Sequence, residues 1–317
     1  MPVRVCIFGG TGFIGHHLLA LLNQQGCMLR VPSRQPQRHR DLAVLPNVEL
    51  VRADVFDPQH LKWLVRDCDA IINLIGILNE SGHDGRGFRR VHVELVEQLI
   101  TACQATDVQR FIQVSALKAD AKNGPSHYLR SKGQAEQLLR QANSSDFKVT
   151  IMRPSVVFGP NDSFINRFAN LLRFSPGWFP LPRANARMAP VYVGDVCTAI
   201  QLALNDVGTA GKTYQLCGQR VMSLREILAF IIKQQERRVK IVQLPDALAK
   251  LQAAVMDWLP GKPFSTDNFR SLTVHSLCDK NGFEKLGITP TSFDCIVPQM
   301  LATVSVTSTA PSFETNL

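Results

Sequence analysis

The chain alternates short apolar runs with longer segments of helical spacing. Residues 3–8 (VRVCIF) form an apolar run that ends in glycine, and Ile14, Leu18, Leu19 and Leu22 then recur at helical intervals until Gly26. This reads as strand, turn, helix. The same rhythm predicts strands near 27–31, at 48–52 (VELVR), 69–75 (DAIINLI), 110–115 (RFIQVS) and 148–153, with helices near 40–45 and at 58–66, 89–104 and 126–142. Regular alternation implies an α/β fold, a doubly wound parallel sheet of Rossmann type with right-handed crossovers and helices on both faces.

From Pro154 the rhythm changes. Pro154, Gly159, Pro160, Pro176, Gly177, Pro180 and Pro182 crowd the chain, and strands and helices alternate less regularly. The expected organisation is a nucleotide-binding domain over residues 1–160 and a smaller α/β substrate lobe over 161–302, with 187–205 returning to the first domain. Residues 303–317, ending in VTSTAPSFETNL, lack periodicity and read as a flexible tail. In 244–264, Leu248, Leu251, Val255 and Leu259 form an apolar stripe, expected to face the core, with a membrane or partner surface as the alternative.

Length and composition narrow the class. The chain has 317 residues, 45% hydrophobic and 19% charged, which fits a folded globular protein and not a disordered one. The net charge of +9 is scattered, with local clusters at 30–40, 86–90 and 237–240, and no long basic tract points to nucleic acid. The eight cysteines show no metal-ligand spacing and read as reduced thiols; no metal site is expected. No apolar run is long enough to cross a bilayer, the first strand starts too early to leave room for a presequence, and the expected location is the cytosol.

The candidate chemistry begins at the first turn. Gly10, Gly12 and Gly15 fit G-x-G-x-x-G, while Gly9, Gly12 and Gly15 equally fit G-x-x-G-x-x-G. Either turn lets backbone approach a pyrophosphate at a helix N-terminus, which makes Gly9, Gly10, Thr11, Gly12, Phe13, Ile14 and Gly15 the cofactor loop. After the second strand the chain reads LRVPSRQPQRHRD, with Arg34 and Arg38 available and no acid before Asp41. An acid there binds the ribose of NAD, whereas arginines suit a 2′-phosphate. NADP(H) is favoured, and NAD(H) also fits the turn.

Further on, Ser115 stands at a strand end and Tyr128 precedes Lys132 by one helical turn. A nearby ammonium would stabilise the tyrosine phenolate as acid–base, and Ser115 would hydrogen-bond the reacting oxygen. Phe164, Phe168, Trp178 and Phe179 could line an apolar substrate pocket, although such spacing belongs more often to core. Asp195, before VCTAI, reads as a helix cap.

Together GGTGFIG (9–15), ADVFD (53–57), NLIG (73–76), Ser115 with YLRSK (128–132), RPSVVFGP (153–160) and PVYVGDV (190–196) resemble the extended, atypical short-chain dehydrogenases/reductases, the epimerase/dehydratase-like group. RFANLLRFSP and the late LPGKPFSTDN…LGITPTS segment make the chain most similar to the branch of the nucleotide-binding accessory subunit of mitochondrial respiratory complex I and its bacterial relatives. The resemblance implies that Asp54 and Val55 flank the adenine, that Leu74, Ile75 and Gly76 line the cofactor, that Lys132 also holds the nicotinamide ribose, and that Pro154, Ser155 and Val156 touch the nicotinamide end. It implies an oxidoreductase acting on an unidentified carbonyl or hydroxyl substrate, or a non-catalytic NADPH-binding module of a respiratory or membrane-associated complex, peripheral to the inner face of a membrane. The short interval from Ser115 to Tyr128 matches compact reductases and argues against sugar-nucleotide epimerisation.

Overall fold

The computed structural model describes residues 3–259, 262 and 264–307. Its centre is a seven-stranded, wholly parallel sheet built from β1 (Arg4–Phe8), β2 (Met28–Ser33), β3 (Val48–Arg52), β4 (Ala70–Asn73), β5 (Arg110–Val114) and β6 (Lys148–Pro154). The seventh strand comes from farther along the chain. Between β6 and it lie β7 (Val157–Phe158), β8 (Trp178–Leu181), β9 (Arg187–Met188) and β10 (Val191–Tyr192); the strand itself is β11 (Thr213–Leu216). The order is β3-β2-β1-β4-β5-β6-β11, so the winding reverses between β1 and β4 and a crevice opens at their carboxyl ends. The predicted sheet is thus present. β11 also belongs to it, although it falls within the segment read from sequence as substrate lobe.

Both faces are covered, which explains why β4 and β5 are buried along their whole length. On one face α1 (Phe13–Gln24) lays Leu18, Leu19 and Leu22 against Ile7 and Ile72, beside Val196 and Ile200 of α7 (Val193–Asn205). On the other, α2 (Pro58–Val65) contributes Leu61 and Leu64. Asp57 caps this helix by accepting from the Gln59 N–H, and Pro58 occupies its first turn. The same face continues through α3 (Arg86–Phe88), a π-helical stretch (Arg89–Glu94), α4 (Leu95–Gln104) and α5 (His127–Ala142). The smaller lobe packs α6 (Ile165–Arg173), α8 (Leu224–Gln234) and α12 (Phe293–Thr307) around Leu172, Ile227, Ile231 and Val297. β12 (Met222–Ser223) pairs with β9, and β13 (Lys240–Gln243) pairs with β8.

Several expectations change. The predicted helix near 40–45 is a 3₁₀ turn at Pro36–Arg38 followed by turns, since Pro46 disfavours helical backbone at Leu45 and only Leu42 is fully buried. Helix α12 continues to Thr307, so residues 303–307 are helical and not tail; 308–317 lie outside the described residues. Cys217 and Cys278 form a disulfide with Cα atoms 6.0 Å apart, which corrects the reading of every cysteine as a reduced thiol. The other six are free, five of them buried.

The stripe Leu248, Leu251, Val255 and Leu259 faces solvent, against the expectation of a core-facing helix. Helix α9 (Asp246–Met256) instead rests on α10 (Thr266–Ser271) through Ala249 and Ala253, which pack on Phe269. Pro260, Gly261 and Pro263 lie outside the described residues. Among the described residues no helix is long and apolar enough to cross a membrane.

Candidate active site

The residues singled out from sequence gather along the carboxyl edge of the sheet. After β1 the backbone turns through Gly9 at φ +79°, and a Cβ there would stand 3.0 Å from the Ile75 nitrogen. Gly9 therefore lets the turn abut the Leu74–Gly76 segment that leaves β4. Gly12 is the N-cap of α1 and brings no side-chain cap, and no acid sits in the first turn. The unpaired N–H groups of that turn are left for an anion, and a twelve-residue helix adds its dipole. A Cβ on Gly12 would meet only the Gly9 carbonyl, at 3.2 Å, whereas one on Gly15 would fall on the Gly10 backbone. Gly15 is needed for packing, and Gly12 leaves the approach to the helix end open. Thr11 is half-buried beside it, and Phe13 and Ile14 pack onto the core. This cradle fits the pyrophosphate of a dinucleotide.

Beyond β2, Arg34 and Arg38 are exposed, and neither guanidinium has a partner among the described residues. Asp41, the first acid after that strand, lies 3.1 Å from His16 Nε2. Asp54 is exposed at the end of β3 and accepts from the Phe56 N–H, while Val55 is half-buried. Pro154 and Ser155 are buried and Val156 half-buried at the end of β6, with the Ser155 hydroxyl donating to the Ser276 carbonyl at 2.9 Å.

Ser126 caps α5 by accepting from the Leu129 N–H, and Asp267 of α10 accepts from the His127 and Tyr128 N–H groups at 2.7 and 3.1 Å. The smaller lobe thereby fixes the end of the helix that carries Tyr128. The Tyr128 ring packs edge-on to Phe88 and His92, and its hydroxyl makes no hydrogen bond among the described residues. Burial pushes that hydroxyl up to about 12. Lys132 is buried; its ammonium donates to the Val114 carbonyl at 3.2 Å, and burial lowers its pKa to about 8 against the opposing pull of Glu136. A Cβ on Gly76 would stand 3.1 Å from Lys132 Nζ. In this arrangement desolvation is the cause of the tyrosine's shift, and the Lys132 ammonium turns toward Val114 and Gly76.

Ser115 also departs from expectation. Its hydroxyl donates to Glu136 Oε1 at 2.6 Å, and the Glu136 carboxylate in turn accepts from Arg153 and Arg140. A serine has one proton to give, so in this state Ser115 can accept from a substrate hydroxyl but cannot polarise a carbonyl.

Sequence reasoning missed Glu136, His92 and Asp267. Glu136 lies four residues past Lys132 on the same helix face, a spacing that was available to it. His92 sits in the π-helical stretch, a feature that recurs at functional sites. The Ile77 N–H donates to its Nε2, so Nδ1 carries the proton and donates to Ser131 Oγ, which donates to the Tyr128 carbonyl. Burial and the Lys132 charge hold its pKa well below the usual range and keep the ring neutral. It ties the Gly76 segment to the helix of Tyr128 and Lys132. Asp195 does not cap α7: Tyr192 is the N-cap, and Asp195 accepts from the N–H and hydroxyl of Thr291. Phe164, Phe168 and Phe179 border the lobe's core, whereas Trp178 faces solvent.

The strand order, the glycine cradle and the Tyr128–Lys132 helix together define a dinucleotide-binding protein of Rossmann type. Residues 5–217 match the NAD dependent epimerase/dehydratase family, and the chain belongs to it. It is 30% identical over 302 residues to the NADH dehydrogenase [ubiquinone] 1 alpha subcomplex subunit 9, mitochondrial, of Arabidopsis thaliana, covering 90% of this chain and 73% of that one. It is 28% identical over 266 residues to the ceramide reductase of Caulobacter vibrioides, covering 80% and 77%. Among solved structures, a double mutant of the dTDP-glucose 4,6-dehydratase DesIV of Streptomyces venezuelae, with NAD bound, superposes with a TM-score of 0.74 at 20% identity, covering 95% of this chain and 96% of that one. That likeness concerns the fold.

Proposed function

We propose that this chain binds NADP(H) and acts as an oxidoreductase on an unidentified carbonyl or hydroxyl substrate, with Tyr128 as the acid–base and Lys132 holding the nicotinamide ribose. The observation that carries the reading is Lys132, buried one helical turn past Tyr128, whose hydroxyl has no partner among the described residues, with a pKa of about 8 and its ammonium beside Gly76 of the cofactor-lining segment. Gly9 to Gly15 would receive the pyrophosphate, Arg34 and Arg38 the 2′-phosphate, Asp54 and Val55 would flank the adenine, Leu74 to Gly76 would line the cofactor, and Pro154 to Val156 would touch the nicotinamide end. A nicotinamide held there would supply the hydride chemistry. Tyr128 would give or take the proton at the substrate oxygen, and Ser115 would hydrogen-bond that oxygen only with its hydroxyl turned away from Glu136.

A second reading is a non-catalytic NADPH-binding module in a respiratory or membrane-associated complex. Two observations favour it: the Ser115 proton is committed to Glu136, and the Arabidopsis relative is named as a subunit of NADH dehydrogenase. Tyr128→Phe separates the two. With NADPH absorbance followed across a carbonyl and quinone panel, the enzyme reading expects substrate-dependent oxidation by wild type that falls about 10²–10⁴-fold in the variant, at little-changed NADPH affinity. No substrate-dependent oxidation by wild type supports the module.

A further inference from the structure

The smaller lobe carries an aromatic loop set among cations, at the start of the β8–β13 pair. Phe174 is 83% exposed and Trp178 54%, with Leu171 and Val242 also exposed. Single exposed apolar side chains are ordinary, but two large aromatics four positions apart on one turn are not. The turn is held in place. The Arg237 guanidinium donates to the Arg173 carbonyl, the Lys240 N–H donates to the Gly177 carbonyl at 2.9 Å, and Lys240 stands in register beside Trp178. Gly177, at φ +92°, makes the reversal, and burial then deepens along β8 from exposed Trp178 through half-buried Phe179 and Pro180 to buried Leu181. The aromatics are therefore presented by a bonded framework.

Around them the charge is one-sided. Residues 171–178 and 233–242 contain Arg173, Lys233, Arg237, Arg238 and Lys240 against a single acid, Glu236. The Arg173 guanidinium carbon lies 6.0 Å from the Phe174 ring centroid. Aromatic rings favour the interfacial depth of a bilayer, and flanking Lys and Arg reach anionic headgroups while their stems cover apolar surface.

We infer that this loop docks the protein onto an anionic lipid surface, Phe174 and Trp178 entering the headgroup layer and Arg173, Arg238 and Lys240 meeting the phosphates. An acidic protein or a nucleic acid would also match the cations, and the test below separates them from lipid. The inference stands apart from the nucleotide site.

The test is flotation of the full chain with large vesicles of phosphatidylcholine, alone or mixed with phosphatidylglycerol, at low and high salt. The expected result is flotation with the anionic vesicles, weakened by salt and absent with the neutral ones. Arg238→Gln with Lys240→Gln should weaken vesicle affinity about thirtyfold at low salt. Phe174→Ser with Trp178→Ser should weaken it at least about tenfold. Unchanged thermal unfolding keeps folding out of the comparison. In a Trp63→Phe/Trp258→Phe background Trp178 is the sole tryptophan, and its emission should shift to the blue on anionic vesicles. Failure to float, equal flotation with neutral lipid, or wild-type flotation by the aromatic pair variant overturns the inference. Retention on a nucleic acid or acidic protein without flotation also overturns it, assigning the surface to that partner.

Discussion

The Ser115 hydroxyl donates to the fully buried carboxylate of Glu136 across 2.6 Å, joining the end of β5 to the helix that carries Tyr128 and Lys132. Glu136 is also the anion that answers Arg153 and Arg140, and Arg153 further donates to the Ala119 carbonyl. One side chain thereby locks two strands and a helix around the candidate site.

Glu136→Gln should therefore be among the more damaging substitutions in the protein. It leaves the largely buried Arg153 guanidinium without its anion, a loss of about 3 kcal/mol or more. Urea unfolding of wild type and variant measures it, and a difference within experimental scatter would mean that the network contributes nothing net.

Arg34→Ala tests cofactor choice. If the exposed guanidinium meets the 2′-phosphate, NADPH affinity falls by about 1.5–3 kcal/mol, tenfold or more, while NADH affinity stays put. Titrating both nucleotides against both proteins decides it; equal losses, or none, defeat the assignment.

What could be read from the sequence was local. The apolar run of β1, the glycine turn and the spacing of Leu18 and Leu22 lie within twenty residues of one another, and Tyr128 and Lys132 share one helix face. Glu136 was in view on that face, but its burial depends on Ser115 and Arg153, which arrive from β5 and β6. Asp267 reaches the end of α5 from 140 positions away, with no pattern to announce it. The stripe on α9 was legible as a stripe; which side of the helix meets the fold was decided by Ala249 and Ala253 packing on Phe269.

Lys132 gives the protein a pH signature. Its pKa drops from an ordinary 10.5 to about 8, so between those values the unfolded chain holds more protons at this site than the folded one, and stability rises with pH. The contribution of Lys132 should grow by about 2 kcal/mol from pH 7.5 to 9.5. Urea unfolding of wild type and Lys132→Met at both pH values isolates it from the cysteines, whose burial acts in the opposite direction. A wild-type-minus-variant difference that stays flat would show that Lys132 titrates normally in the fold.

The Cys217–Cys278 bridge closes 61 positions of chain. Protein unfolded without reductant should expose six titratable thiols, not the eight of its composition. Cys217→Ser should cost about 2–4 kcal/mol, with reductant bringing wild type to the same stability. Eight thiols in unreduced protein would mean that the pair is open.

The glycines of the first turn should separate folding from binding. At Gly15 an alanine Cβ falls on the Gly10 backbone, which cannot swing aside as a side chain would, so Gly15→Ala must push α1 away from the turn. Overpacking of this kind costs about 1–3 kcal/mol or more and should lower the unfolding midpoint directly. At Gly12 the added methyl meets only the Gly9 carbonyl, at 3.2 Å, on the side where the helix end is open. Gly12→Ala should therefore unfold close to wild type and yet lose nucleotide affinity, because the methyl occupies the path by which a pyrophosphate reaches the first-turn N–H groups. Thermal unfolding beside NADPH titration for the two variants gives both numbers. If Gly12→Ala binds NADPH as wild type does, the pyrophosphate does not lie against this turn, and the cradle serves packing alone.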